Sequence, residues 1–136
     1  VYKNKKIMII NDSKATNLSA TINTVKSYKN VYLIMGGKLK HNDFSSFLKL
    51  KGRIKKIYLI GDSMNFIFNK LHLVFKCEKS KFMKKAIRKS IDEVKNNKQF
   101  STILLAPACS SFDQYKNFED RGNDFKRIVK NFLINK

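Results

Sequence analysis

The sequence predicts an α/β domain of Rossmann-like type, with a mostly parallel sheet and helices on both faces. Three observations predict it. Short, nearly continuous apolar runs alternate with stretches of helical periodicity, the pattern of strands buried on both faces between covering helices. Several of those runs end in glycine, proline or clustered polar residues, where a strand must turn toward the next helix. The length of 136 residues is one domain's worth of chain, enough to bury ~65–70% of the unfolded surface.

The elements follow in order. Ile7-Met8-Ile9-Ile10 is the first strand, and Leu18 to Val25 carries helical spacing after a polar turn. Val31 to Met35 is the second strand, stopped by Gly36-Gly37. Phe44, Phe47 and Leu48 make a short helical face. Ile54 and Ile57 to Ile60 form the third strand, ending at Gly61-Asp62-Ser63, with Met64 to Phe68 as a short helix behind it. Leu73-Val74-Phe75 is expected as a brief fourth strand. Met83, Ala86, Ile87, Ser90, Ile91 and Val94 recur at three and four residues, a full helix with Lys84, Lys85 and Lys89 turned outward. Thr102 to Leu105 is the fifth strand, and Phe125, Ile128, Val129 and Phe132 mark the face of the last helix. No linker, repeat or low-complexity segment interrupts residues 1–136, which read as a single domain.

The formal net charge of +19 raises the question of a nucleic-acid partner. Arginine occurs only at positions 53, 88, 121 and 127, so nearly all the charge is lysine, spread along the chain among many Asn and Ile. That is the signature of compositional drift onto solvated faces, and no RNP-like, zinc-finger or basic-zipper pattern accompanies it. Nucleic acid is not the expected partner. No apolar run approaches the ~18 residues of a membrane span. Cys77 and Cys109 read as reduced thiols of a cytoplasmic protein. A chain that opens at Val1 directly before a strand reads as a piece of a longer protein, and the domain is expected to be monomeric.

In a parallel sheet the ligand lies outside the carboxyl ends of the strands, and three of those ends are polar and flexible here. Asn11-Asp12-Ser13-Lys14-Ala15-Thr16-Asn17 offers a carboxylate, an ammonium and hydroxyls before a helix. Thr16 or Asn17 can cap that helix, and its N-terminus beside Lys14 equally suits an anion. Gly36-Gly37-Lys38-Leu39-Lys40 bends sharply and brings two lysines to the edge, but it is not a phosphate-binding P-loop. Ala106 to Gly122 contains the only proline, Pro107, with Cys109, Ser110, Ser111, Asp113, Gln114 and Lys116. A nucleophile there would need a base, and neither His41 nor His72 sits in a partner motif. Cys109 reads as a packing residue, the serines as donors to a ligand carboxylate, and Phe112 and Phe118 as packing or shaping residues. No metal-ligand spacing occurs.

The three segments, NDSKATN, GGKLK and APACSSFDQYKNFEDRGNDFK, resemble the C-terminal domain of the Mur ligase family in its D-glutamate-adding branch. The resemblance runs over essentially the whole chain in the family's order. It implies a three-domain enzyme of peptidoglycan biosynthesis whose UDP-binding and central ATPase domains are absent from this sequence. By the same resemblance, Thr16, Lys40, Ser111 and Phe118 bind D-glutamate, Lys14 lies near the phosphates, and Asp12 meets the nucleotide ribose. The activity implied is ATP-dependent amide formation through an acyl phosphate, joining D-glutamate to UDP-N-acetylmuramoyl-L-alanine. ATP and Mg²⁺ would be held mainly by the missing central domain, so no catalytic residue is assigned here and the fragment alone is expected to be inactive.

The residue types suit that mapping, because two carboxylates need an ammonium and several neutral donors at fixed separation. Lys38 and Ala106 depart from the family pattern, in place of a neutral or acidic residue and of a hydroxyl residue respectively. Another Mur or folylpolyglutamate-type ligase is the near alternative. The Asp-Asn-Pro-Arg signature of the diaminopimelate-adding branch is absent, which favours D-glutamate. A basic nucleic-acid-binding module is the alternative from a different class.

Overall fold

The structure is a computed structural model and describes residues 1–40 and 43–134; His41 lies outside them. The strands are β1 (Tyr2–Lys3), β2 (Ile7–Asn11), β3 (Val31–Gly36), β4 (Ile54–Ile60), β5 (Cys77–Lys81) and β6 (Ser101–Leu105). The helices are α1 (Leu18–Val25), α2 (Met64–Leu71), α3 (Met83–Lys95) and α4 (Phe118–Ile134), with a short 3-10 turn at Phe47–Leu50. The strands form one sheet in the order β1-β2-β6-β3-β4-β5. All neighbours are parallel except β1, which pairs antiparallel with β2 at the edge.

Alternation along each strand divides the core into two layers. Val31, Leu33 and Met35 of β3, Ile57 and Leu59 of β4 and Leu104 of β6 face α1, the 3-10 turn and α2. Their strand neighbours Tyr32, Ile34, Tyr58, Ile60, Ile103 and Leu105 face α3 and α4. Every residue of β3 and β6 is buried, which is why these strands read as unbroken apolar runs. Each fully buried Leu or Ile contributes roughly 1.5–3 kcal/mol relative to leaving it exposed. On α3 the expected stripe is buried, while Lys84, Lys85 and Lys89 are exposed.

Three details differ from the sequence reading. The short antiparallel edge strand β1 is additional to the five expected strands. The fourth strand is not Leu73–Phe75. There the chain makes a turn that closes α2, with the N–H groups of Val74 and Phe75 both donating to the Leu71 carbonyl (3.0 and 2.9 Å), and Leu73 is 88% exposed. The strand is β5, Cys-Glu-Lys-Ser-Lys, polar because it lies at the edge of the sheet, where charged side chains discourage further pairing. The short helical face is Phe44, Phe47 and Leu50, with Leu48 exposed instead. A 3-10 turn repeats every three residues, which puts 47 and 50 on one side.

Candidate functional site

The sheet order sets the carboxyl ends of β2, β6 and β3 side by side. After β2 the chain passes to α1 on one face of the sheet, and after β6 it passes to α4 on the other. Adjacent strands that send their chains to opposite faces leave a crevice between the departing loops. The three polar segments 11–17, 36–40 and 106–118 therefore meet at one edge.

Backbone hydrogen bonds weld these loops into a frame. Asp12 N–H donates to the Leu105 carbonyl (2.7 Å), Ala108 N–H to Ala15 (2.9 Å) and Gly36 N–H to Pro107 (3.0 Å). Lys38 and Ser110 exchange two bonds as a single antiparallel bridge, at 3.0 and 3.1 Å. The fourth strand end, Gly61-Asp62-Ser63, joins the frame as well. Ser63 N–H donates to the Gly37 carbonyl (3.0 Å), the Ser63 hydroxyl accepts from Leu39 N–H (3.0 Å), and Asp62 N–H donates to the Asp113 carboxylate (2.8 Å). Ala108 holds φ at +62°, a left-handed conformation uncommon for a residue with a side chain and found where the surroundings enforce it.

Inside this frame lies a cavity of about 380 Å³ lined by Thr16, Asn17, Leu18, Lys40, Ala108, Ser110, Phe112 and Phe118. Thr16, Lys40 and Phe118 are thus brought together from all three loops. Asn17, and not Thr16, caps α1, its side-chain oxygen accepting from Ala20 N–H at 2.8 Å. That leaves the Thr16 hydroxyl without a hydrogen bond among the described residues. Asn117 caps α4 in the same way through Asp120 N–H (2.8 Å). Leu18 and Phe118, the first residues of the two helices, line the cavity, and their N–H groups have no intrahelical acceptor. Two helix N-termini, a lysine and hydroxyls make a surface that favours anions. Phe112, 69% exposed, and the half-exposed Phe118 supply apolar walls.

The remaining expected residues lie around the cavity. Ser111 is buried and does not line it, whereas Ser110, its neighbour, does. Lys38 bridges through its backbone, is exposed and is not among the residues that line the cavity. Lys14 is exposed and Asp12 half-buried on the 11–17 loop, outside the cavity. One oxygen of the Asp12 carboxylate accepts the Thr24 hydroxyl proton (2.5 Å). Cys109 is buried, and that burial pushes its thiol up to about 12, so it is inert packing as expected.

Arg121, from the second turn of α4, was not among the expected residues. It is 1% exposed, and its guanidinium reaches back under the loops. Nε donates to the Ser13 hydroxyl (2.8 Å), Nη2 to the Ser13 carbonyl (2.7 Å) and Nη1 to the Cys109 carbonyl (2.9 Å). The Ser13 hydroxyl donates onward to the Phe118 carbonyl (2.7 Å). Burial lowers the Arg121 pKa to about 10, still charged at neutral pH. Nothing in a single sequence distinguishes this arginine from a surface one.

A larger cavity of about 790 Å³ lies on the other side of the same loop, between α3 and α4, among Phe82, Met83, Tyr115, Arg127 and Phe132. Its Asp124 carboxylate is engaged by the Tyr115 hydroxyl and by Arg127. Size is a poorer guide than chemistry here. The smaller cavity sits at the strand ends, where the three polar loops meet.

A Rossmann-like domain with an anion-receptive cavity at the carboxyl ends of its strands has the form of a ligand-binding α/β module. No family model matches the chain. The chain is homologous, over one domain's length, to UDP-N-acetylmuramoylalanine--D-glutamate ligases. It is 40% identical over 132 residues to that ligase of Wolbachia sp. subsp. Brugia malayi, covering 94% of this chain and 26% of the relative. With the Prochlorococcus marinus (strain MIT 9312) ligase it shares 39% over 140 residues, 98% of this chain and 29% of the relative. With that of Natranaerobius thermophilus it shares 38% over 128 residues, 90% and 27%. The chain therefore spans about a quarter of the length of these relatives.

Proposed function

We propose that this chain is the C-terminal, amino-acid-binding domain of a cytoplasmic ligase that joins D-glutamate to UDP-N-acetylmuramoyl-L-alanine. The observation that carries the proposal is the convergence of Thr16, Lys40 and Phe118 on one cavity, in a chain homologous to D-glutamate ligases. The Lys40 ammonium takes one carboxylate of the amino acid. The Thr16 hydroxyl and the N–H groups at the starts of α1 and α4 supply neutral donors for the other. Ser110 lines the wall, and Ser111 holds the loop behind it. Phe112 and Phe118 exclude water from the hydrocarbon part of the ligand.

The described residues do not fit the metal, and the chain offers the nucleotide phosphates no cradle of its own. Among the described residues no three His, Cys, Asp or Glu side chains could hold a metal ion together, and the sequence has no P-loop. Asp12 and Lys14, on the rim, are its contribution toward a nucleotide held elsewhere.

The test is a titration of the isotope-labelled chain with D-glutamate, followed by backbone NMR. Saturable shifts are expected at Thr16, Leu18, Lys40 and Phe118, with weaker response to L-glutamate. Absence of saturable shifts at these amides rejects the assignment.

A further inference from the structure

We propose that Arg121 is the positioning residue of this amino-acid site, spanning Ser13 and Cys109 to set the gap between the Thr16 loop and the Ser110–Phe118 loop. The inference rests on the D-glutamate reading of the cavity and adds a residue that does not touch the ligand.

Three observations carry it. The guanidinium is buried, and all three of its nitrogens donate across the crevice, to Ser13 on one side and Cys109 on the other. Both anchors are next to the cavity wall: Ser13 lies three residues before Thr16, and Cys109 between Ala108 and Ser110, which both line it. The Ser13 hydroxyl relays the contact to the Phe118 carbonyl, at the start of the helix whose first residue lines the cavity. One side chain thus sets the relative position of donors contributed by two loops and one helix.

The charge state points the same way. Among the described residues no carboxylate lies within ion-pairing distance of Arg121. Its acceptors are two carbonyls and a hydroxyl. A buried cation ordinarily has a partner, because its desolvation is otherwise uncompensated. The Asp113 carboxylate offsets this charge only from beyond ion-pairing distance, so the guanidinium beneath the anion-receptive cavity still favours a ligand with two carboxylates. A neutral clamp would hold the loops equally well; this one also biases what enters between them.

The experiment measures D-glutamate affinity and thermal stability together for the wild-type chain and for Arg121→Met, Arg121→Lys and Ser13→Ala. Arg121→Met removes the clamp and the charge, and the dissociation constant should rise about tenfold or more. Arg121→Lys keeps the charge but cannot reach three acceptors, and it should recover part of that loss, to about threefold above wild type. Ser13→Ala cuts the relay without changing charge and should cost about threefold. A purely structural arginine would lower the melting temperature in these variants and leave the affinity of the folded chain unchanged; that result overturns the proposal. If Arg121→Met does not fold, the other two variants decide, and wild-type affinity in both overturns it. Failure of the wild-type chain to bind D-glutamate rejects the reading of the cavity itself, and the inference with it.

Discussion

Gly37 and Ser110 approach so closely that no methyl group fits between them. A Cβ on Gly37 would stand 2.4 Å from the Ser110 carbonyl oxygen, and its φ of +137° lies where residues with side chains are strained. This contact lets the Lys38–Ser110 bridge close and brings the lysine segment against the serine loop. Gly37→Ala is therefore expected to lower stability by about 1–3 kcal/mol and to weaken D-glutamate binding as the bridge opens. Gly52→Ala, where an added Cβ meets nothing within 4 Å, is the control and should stay within about 0.5 kcal/mol of wild type by chemical denaturation.

The two lysines of that segment should behave differently. Lys40 lines the cavity and Lys38 does not. Lys40→Ala should raise the dissociation constant for D-glutamate about tenfold or more, the worth of one charge-assisted bond. Lys38→Ala should change it less than about twofold, through the long-range field alone. Equal effects in a titration at physiological salt would remove Lys40 from the site.

Thr21 on α1 is fully buried, and its hydroxyl donates to the Ala106 carbonyl at 3.0 Å, tying α1 to the end of β6. Thr21→Val keeps the shape and leaves that buried carbonyl without its donor. A loss of about 1–3 kcal/mol is expected in urea unfolding. The D-glutamate affinity of the folded fraction should hold.

Both thiols ionise late in the folded chain. Burial pushes Cys77 up to about 11 and Cys109 up to about 12, from an ordinary 9.0; at Cys109 Asp113 adds to the rise and Arg121 opposes it. At pH 8 roughly one Cys77 thiol in a thousand is thiolate, so alkylation of the folded chain should be slow and accelerate about tenfold per pH unit up to pH 10. A plateau near pH 9 would contradict this. The sign for stability follows. Above pH 9 the unfolded thiols lose protons that the folded ones keep, so the thiol contribution is intact below about pH 9 and lost as pH rises through the folded values.

Much of this architecture is legible in the sequence because strand and helix periods are local signals. β3 and the apolar run of β6 could be read directly, and the polar ends of β2, β3 and β6 pointed to the edge where the three loops meet. The edge strand β5 could not be found that way. Its Cys-Glu-Lys-Ser-Lys lacks an apolar run, while Leu73-Val74-Phe75 has one and makes a turn instead. Which of two adjacent serines faces the cavity depends on the left-handed turn at Ala108, which residue identities do not reveal. Arg121 was missed for a related reason. Arginine is read as a surface residue, and only the packing of α4 beneath two loops buries it.

The position of β6 ties the cavity to the order in which the chain can assemble. β6 is the last strand in sequence, yet it lies inside the sheet, between β2 and β3. A nascent chain that stops short of Ser101 leaves the inner edges of both neighbours without hydrogen-bonding partners. Thr16 and Lys40 then have no third loop to face. Pairings this distant in sequence are slow to form, since loop closure precedes the contacts that reward it. The cavity is therefore a late product of folding, complete only when the final quarter of the domain has been threaded into the sheet. Ligand binding then reports on the integrity of the whole domain.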